Sequence, residues 1–520
     1  MSLLNKYKTE IIISTLLIIA FFLTRFYNIM SLPLFTDEAI YVRWSQIARY
    51  DPAWRFISLT DGKQPSFVWI TMVAMKFVED PLLAGRLVSV GSGFFTLIGI
   101  FFLGKEVFKN KWVGFISSFI YLIFPMALVY NRMALYDSLV GTFAVWSLYL
   151  EVLLIRKMRL DVALILGMVI GGGVLTKTSG FFSIYLLPFS LILFDLKQKQ
   201  KINKFLKWLF LSVIVVFLSY FYYSVLRLFP LFNIIGEKNS IFVYPFHDWI
   251  KHPFEFFVGN FLGVWDWFIH YVTWPIIFLI VFSLLLSPAL KLKEGLNFKK
   301  IGLLNFINNS FLREKILLLI WFSLPFTALA LFGRVLYPRF IFFMTLSLIP
   351  LAALSFYKLN FIIKNRILFV FCSLILISSM VRLDYFILTD FARAPIPNSD
   401  SEQYINGWPA GGGVKEIISF LQKEAEKGKI YVASEGTFGS LPTYAVEIYL
   451  GDNKNVEKRG IWPPPAEIPK DLLEKSKKMP TFFIFNTTQE KPANWPLRFI
   501  SKYQKGIRDT YMSLYQVESK

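Results

Sequence analysis

The sequence predicts a polytopic α-helical membrane protein with about 11 transmembrane helices, interfacial helices in its first outer loop, and a C-terminal soluble α/β domain. Three observations carry that expectation. Of the 520 residues, 55% are hydrophobic and 17% charged, whereas soluble chains average roughly 25% charged. Mean hydropathy is +0.52. The apolar residues come in repeated runs long enough to cross a bilayer as helix, up to about residue 388, where the composition turns polar.

The net charge of +20 does not imply nucleic acid as a partner. The basic residues sit in short clusters between apolar runs, as they do in cytoplasmic loops of membrane proteins. These clusters are Lys6/Lys8, Lys105–Lys111, Arg156–Arg159, Lys197–Lys207, Lys291–Lys300 and Lys358–Arg366. If all are cytoplasmic, successive clusters enclose pairs of spans: 10–30 with 83–104, 112–130 with 138–155, 160–176 with 179–195, 206–228 with 272–290, and 315–333 with 338–357. A last span, 367–388, carries the C-terminus to the outer side. The stretch MSLLNKYKTE resembles the start of a signal peptide, but no small-residue cleavage site follows, so the first span reads as an anchor with a cytoplasmic N-terminus.

Residues 66–78, SFVWITMVAMKFV, are apolar but number 13. Such a run is too short to span and is expected on the membrane surface. The outer segments are then 31–82, 131–137, the turn Thr176–Ser179, 229–271, the turn Gly333–Pro338, and everything from 389 onward. The expected division is a membrane domain, 1–388, and an extracytoplasmic domain, 389–520. In the latter, VKEIISFLQKEAEKGK is amphipathic, KIYVASEG and TFFIFNTT have strand character, and WPPPAEIP reads as a rigid loop. The run GWPAGGG reads as a loop, Glu435 is a weak candidate to face substrate, and Asn486-Thr-Thr matches a glycosylation acceptor that is common by chance. Cys372 is the single cysteine, which excludes an internal disulfide. His247, His252 and His270 share a polar segment without metal-ligand spacing.

This threading collects the unusual polar residues near one face. Asp37, Glu38 and Lys63 fall in the first outer loop, Arg132 and Asp137 in the second, Lys177 in the third, and Arg334, Tyr337 and Arg339 around the late outer turn. Charges at an apolar boundary are costly unless paired or functional. Bases there suit a phosphate, and an acid suits removal of a proton from a hydroxyl. A lipid-linked phosphosugar presents its phosphate at this depth. Simpler roles exist for each residue. Asp37 fits an N-cap for AIYVRWSQIARY, Glu38 a partner for a base, Lys63 and Arg132 headgroup anchors, and Lys177 and Arg339 contacts to lipid phosphates. Trp44, Trp54 and Trp69 fit an interfacial belt.

Five segments, TDEAIY, DGKQPSFVWI, RMALYDS, TKTSG and YPRFIFFMTLSLIP, occur in this order between residues 30 and 350. In them the chain resembles the C-type superfamily of polyprenyl-phosphate-dependent glycosyltransferases, in the branch of protein O-mannosyltransferases and aminoarabinose transferases. The resemblance implies inverting transfer of a sugar, hexose or pentose, from a polyprenyl-phosphate carrier to a protein, lipid or glycan hydroxyl outside the membrane. It implies that Asp37 acts as base or orients the acceptor, Asp137 lines the same cavity, and Lys63 holds the donor phosphate. Arg339 or its neighbour Tyr337 would meet that phosphate, with Arg132, Lys177 and Glu38 as further substrate-binding positions. No cofactor is required in such a site, although Asp37, Glu38 and Asp137 together carry enough carboxylate oxygens for a divalent cation. A transporter or flippase of lipid-linked sugars and a non-catalytic envelope scaffold are the rival classes. The first would show inverted repeats, and no internal repeat is visible.

Overall fold

The structure is a computed structural model and describes residues 7–197, 199–285, 311–437 and 439–518. The chain forms two compact units. The first comprises Met1–Tyr27, Phe56–Phe67 and Leu87–Leu388; the second comprises Asn28–Arg55, Val68–Arg86 and Thr389–Lys520.

Each expected span falls wholly or largely on helix. Among the described residues, seven helices are long and apolar enough to cross a membrane: Lys8–Phe26, Pro81–Phe108, Tyr136–Lys157, Lys201–Leu228, Leu312–Phe332, Pro338–Ile362 and Arg366–Thr389. The pair Phe257–Val272 and Trp274–Leu285 is an eighth candidate, bent by 99°. The remaining expected spans are shorter helices, Lys111–Leu122, Leu160–Val174 and Thr178–Leu193. Among the described residues, length and composition thus support seven or eight crossings, and the count of 11 is not confirmed. The shortening has local causes. The run 112–130 breaks before Pro125, which cannot donate to the preceding turn and instead opens a new helix, Pro125–Tyr130. The basic cluster 291–300 and residues 286–290 lie outside the described residues, as does Lys6. The surface segment becomes the helix Ser66–Ala74, nine residues long and so about 13 Å, less than half a bilayer core.

The second unit contains a five-stranded mixed sheet. Strand β1 (Leu34–Phe35) pairs antiparallel with β2 (Ala410–Gly411). The sheet is built from β3 (Ile430–Glu435), β4 (Val456–Ile461), β5 (Thr481–Phe485), β6 (Leu497–Gln504) and β7 (Tyr511–Val517), in the order β4-β3-β5-β7-β6. β3 is parallel to β4 and β5, and β7 is antiparallel to β5 and β6. The expected helix and two strands are Val414–Lys427, β3 and β5. β4 reads VEKRGI and escapes a hydrophobic pattern because it is an edge strand. Phe483, Phe485, Leu472 and Trp495 fill the core on one face.

The helix Thr36–Tyr50 belongs to this unit for a physical reason. Arg43 Nε pairs with Glu447 Oε2 at 3.0 Å and Gln46 Nε2 donates to the Ile448 carbonyl at 3.1 Å. Trp44 is fully buried there, so it is a core residue and not part of an interfacial belt.

Two readings of the tail are corrected. The Glu435 carboxylate does not face substrate; it is buried and accepts from the backbone N–H groups of Asn486, Thr487 and Thr488 at 2.7, 2.8 and 2.9 Å and from Thr488 Oγ1 at 2.6 Å. It fixes the loop leaving β5. The Asn486 side-chain amide is also buried and donates to the carbonyls of Trp408 and Leu441 at 2.9 and 3.0 Å. The folded chain thus closes this asparagine to glycosylation. Burial pushes the neighbouring Lys505 ammonium down to about 8, and Glu435 pulls it partly back. Glu435→Gln would turn an amide NH2 toward backbone donors and is expected to cost about 2–3 kcal/mol. Faster hydrogen exchange at Asn486–Thr488 would report it, and unchanged protection there would refute the role.

Candidate functional site

In the first unit, three turns converge. Asp137 lies in the first turn of Tyr136–Lys157, where a carboxylate is favoured by the helix dipole. Its Oδ1 accepts from Lys177 Nζ at 2.7 Å, with side-chain exposures of 7% and 25%. Lys177 is delivered by a tight turn: a Cβ on Gly180 would lie 2.3 Å from the carbonyl of Gly173, so only glycine permits this approach.

Aromatic rings organise the other cations. Lys177 Nζ stands 4.5 Å from the Phe340 ring centre. The Arg339 guanidinium lies 4.5 Å over Tyr337 and 5.8 Å from Phe340. Phe340 meets Phe242 edge-on at 6.1 Å, and Lys63 Nζ sits 5.0 Å over Phe242. Lys63, Lys177 and Arg339 therefore share one platform of Tyr337, Phe340 and Phe242. Ring faces attract cations while leaving their donors able to turn toward a ligand.

Hydrogen bonds fix the loops that carry these rings. Backbone bonds from Arg334 to the Phe242 carbonyl and from Tyr244 to the Phe332 carbonyl, each 2.8 Å, stitch the 229–271 segment to the turn Gly333–Pro338. Gln64 Nε2 donates to Thr178 Oγ1 at 2.9 Å, and Thr178 Oγ1 to Asn239 Oδ1 at 3.2 Å. Lys238 pairs with Asp61 at 2.5 Å. Lys63, Lys177 and Arg339 bring three cations to this platform, and cations so placed suit a phosphate.

Arg132 sits elsewhere in this unit. Its buried guanidinium donates to the carbonyls of Tyr27 and Ile387, at 2.7 and 3.2 Å, at the C-terminal ends of two spans. Such carbonyls lack intrahelical partners, so Arg132 caps helices.

Asp37 and Glu38 lie in the second unit. Glu38 is fully buried in a bidentate pair with Arg86, Nε to Oε1 and Nη2 to Oε2 both at 2.9 Å. The same arginine donates to the carbonyls of Ile29, Leu32 and Pro33. Glu38 Oε2 also accepts from Phe35 N at 3.1 Å, closing the start of helix Thr36–Tyr50. The N-cap is thus Phe35 with Glu38 reaching back, and not Asp37. Asp37 is the second helical residue, partly exposed, with Tyr41 Oη 3.5 Å from its Oδ2.

No sequence signal marks Phe242 and Phe340, two among 56 phenylalanines. Arg86 was hidden because it lies inside an apolar run, although an arginine there calls for a buried acid.

Residues 62–223 match the family model of dolichyl-phosphate-mannose-protein mannosyltransferases. The matched stretch holds Lys63, Arg132, Asp137 and Lys177. No curated protein matches the sequence closely enough to count as a relative. Among solved structures, ArnT from Cupriavidus metallidurans bound to undecaprenyl phosphate is similar at 13% identity over 98% of both chains, with a TM-score of 0.56. The apo state of that protein is similar at 12% identity over the same share, with a TM-score of 0.55. The archaeal oligosaccharyltransferase AglB from Archaeoglobus fulgidus, in complex with an inhibitory peptide and a dolichol-phosphate, is similar at 13% identity over 93% of this chain and 70% of that chain, with a TM-score of 0.56. The chain is a multi-pass membrane protein with the fold of ArnT and AglB, and the stretch that brings in two of its three platform cations carries the mannosyltransferase match.

Proposed function

We propose that this protein transfers a sugar from a polyprenyl-phosphate carrier to an acceptor hydroxyl, with inversion at the anomeric carbon and without a required cofactor. The observation that carries this reading is the gathering of Lys63, Lys177 and Arg339 on one aromatic platform beside Asp137. In the reaction the bond from anomeric carbon to phosphate oxygen breaks and the phosphate leaves with the electron pair, gaining negative charge. Fixed cations stabilise that charge without reorganising during the step. The acceptor oxygen attacks the opposite face of the sugar, and Asp37 takes its proton. Asp137 positions Lys177. Arg132 supports the frame of the unit that carries the platform, and Glu38 holds the start of the helix that carries Asp37.

The acceptor is a hydroxyl of a protein, lipid or glycan, the sugar a hexose or pentose, and the site faces away from the cytoplasm with the N-terminus inside. Nothing in the fold or the family match favours a transporter.

The test is transfer from a panel of radiolabelled polyprenyl-phosphate sugars by purified protein. Arg339→Ala is expected to lower kcat/KM about 10²-fold or more, with thermal stability changed little. Activity at the wild-type level in this variant would remove the phosphate role of the platform.

A further inference from the structure

The helix Tyr136–Lys157 carries a second acid, Glu151, fourteen residues beyond Asp137 and so about 21 Å deeper along its axis. It is distinct from the site above. Glu151 is fully buried, and neither carboxylate oxygen has a hydrogen-bond partner among the described residues. Among the described residues, no Lys, Arg or His pairs with it. Arg156, one turn on, is bonded to Glu106 and Glu314 instead.

Two further orphans belong to the same place. Ser147 precedes Glu151 by one helical turn and shares its face. Its hydroxyl is fully buried and has no hydrogen-bond partner among the described residues. The 3-10 segment Leu187–Leu193 packs against this helix. Its residues Leu187 and Leu193 join clusters with Leu150, Leu154 and Ile155. In a 3-10 helix residues three apart eclipse, so Ser190 lies on the same stripe, between those two leucines. The Ser190 hydroxyl is likewise fully buried and without a partner among the described residues. Four oxygens without partners thus sit on facing elements inside the membrane domain. Buried polar atoms are almost always satisfied, so such a group calls for a ligand.

We propose that Glu151, Ser147 and Ser190 bind one monovalent cation, sodium, within the membrane domain. One carboxylate balances a single positive charge; a divalent ion would leave a net charge in an apolar interior. The donors are all hard oxygens, and the hydroxyl oxygens accept as readily as the carboxylate. The cation ties the helix Tyr136–Lys157, whose outer end bears Asp137, to the segment that follows Lys177.

The experiment uses full-length protein in detergent at pH 8 and constant ionic strength, with sodium exchanged for potassium or N-methyl-D-glucamine. Equilibrium dialysis with ²²Na⁺ is expected to show one ion per chain. The Tm is expected to rise by about 3 °C or more as sodium reaches saturation. Glu151→Gln removes both effects, and Ser190→Ala shifts the sodium midpoint upward at least threefold. Absence of ²²Na⁺ binding to the wild-type chain would overturn the proposal and leave a protonated carboxyl in its place. Equal stabilisation by potassium without sodium would overturn the assignment of the ion. Both outcomes are read on the parent protein, so they stand even if Glu151→Gln fails to fold.

Discussion

Asp37→Asn is expected to lower sugar transfer by about 10²–10⁴-fold, while the affinity for polyprenyl phosphate changes less than about threefold. Three features set this expectation. Asp37 is partly exposed at the start of helix Thr36–Tyr50, whereas its neighbour Glu38 is fully buried. Both Glu38 oxygens are engaged by Arg86, and one also by Phe35 N. Glu38 therefore cannot take over as base when Asp37 is neutralised. Asparagine keeps the size and polarity of Asp37, and helix capping by Glu38 is untouched, so the protein should fold normally. Single-turnover assays and donor-binding titrations separate the two effects. Activity within tenfold of the parent would remove Asp37 from proton transfer and direct attention to Asp137. Loss of donor binding together with activity would place Asp37 in donor recognition.

The largest effect on stability is expected at Arg86. Its pair with Glu38 is fully buried, with five polar partners around the guanidinium. Arg86→Met leaves the Glu38 carboxylate uncompensated and three carbonyls without their donor. Breaking a buried pair from one side typically costs about 3–5 kcal/mol. Replacing both members by apolar residues, Glu38→Leu with Arg86→Met, is expected to recover a large part of that loss, because no charge is stranded. Thermal unfolding of the parent, both single variants and the double variant forms a complete cycle. A loss below about 1 kcal/mol in Arg86→Met, within the range of exposed pairs, would show that the pair does not hold the first outer loop. Activity should fall with stability in this series, whereas in Asp37→Asn it should fall alone.

The membrane class, the location of nearly every long helix and the α/β character of the tail were legible because they depend on local composition and periodicity. Apolar runs of bilayer length can do little else in water or lipid. The strands β3 and β5 were legible for the same reason, being nearly continuous apolar runs buried in the sheet. The charged edge strand β4 was not. The positions of Lys63, Asp137, Lys177 and Arg339 at or beside turns between apolar runs were also legible.

Pairing was a different matter, because it joins residues far apart in the chain. Nothing near Glu38 in sequence announces Arg86, and nothing near Lys63 announces Phe242. The motif that places Asp37 beside Glu38 makes the two look equivalent; burial separates them, assigning one to a structural ion pair and leaving the other partly exposed. The same holds for Asn486, whose tripeptide reads as a modification site until the fold turns its amide inward. Sequence alone determined that this chain lives in a membrane and carries bases and acids at the turns between its apolar runs. The tertiary structure decided which of them meet, because desolvation and contact geometry are properties of packed segments and not of any one of them.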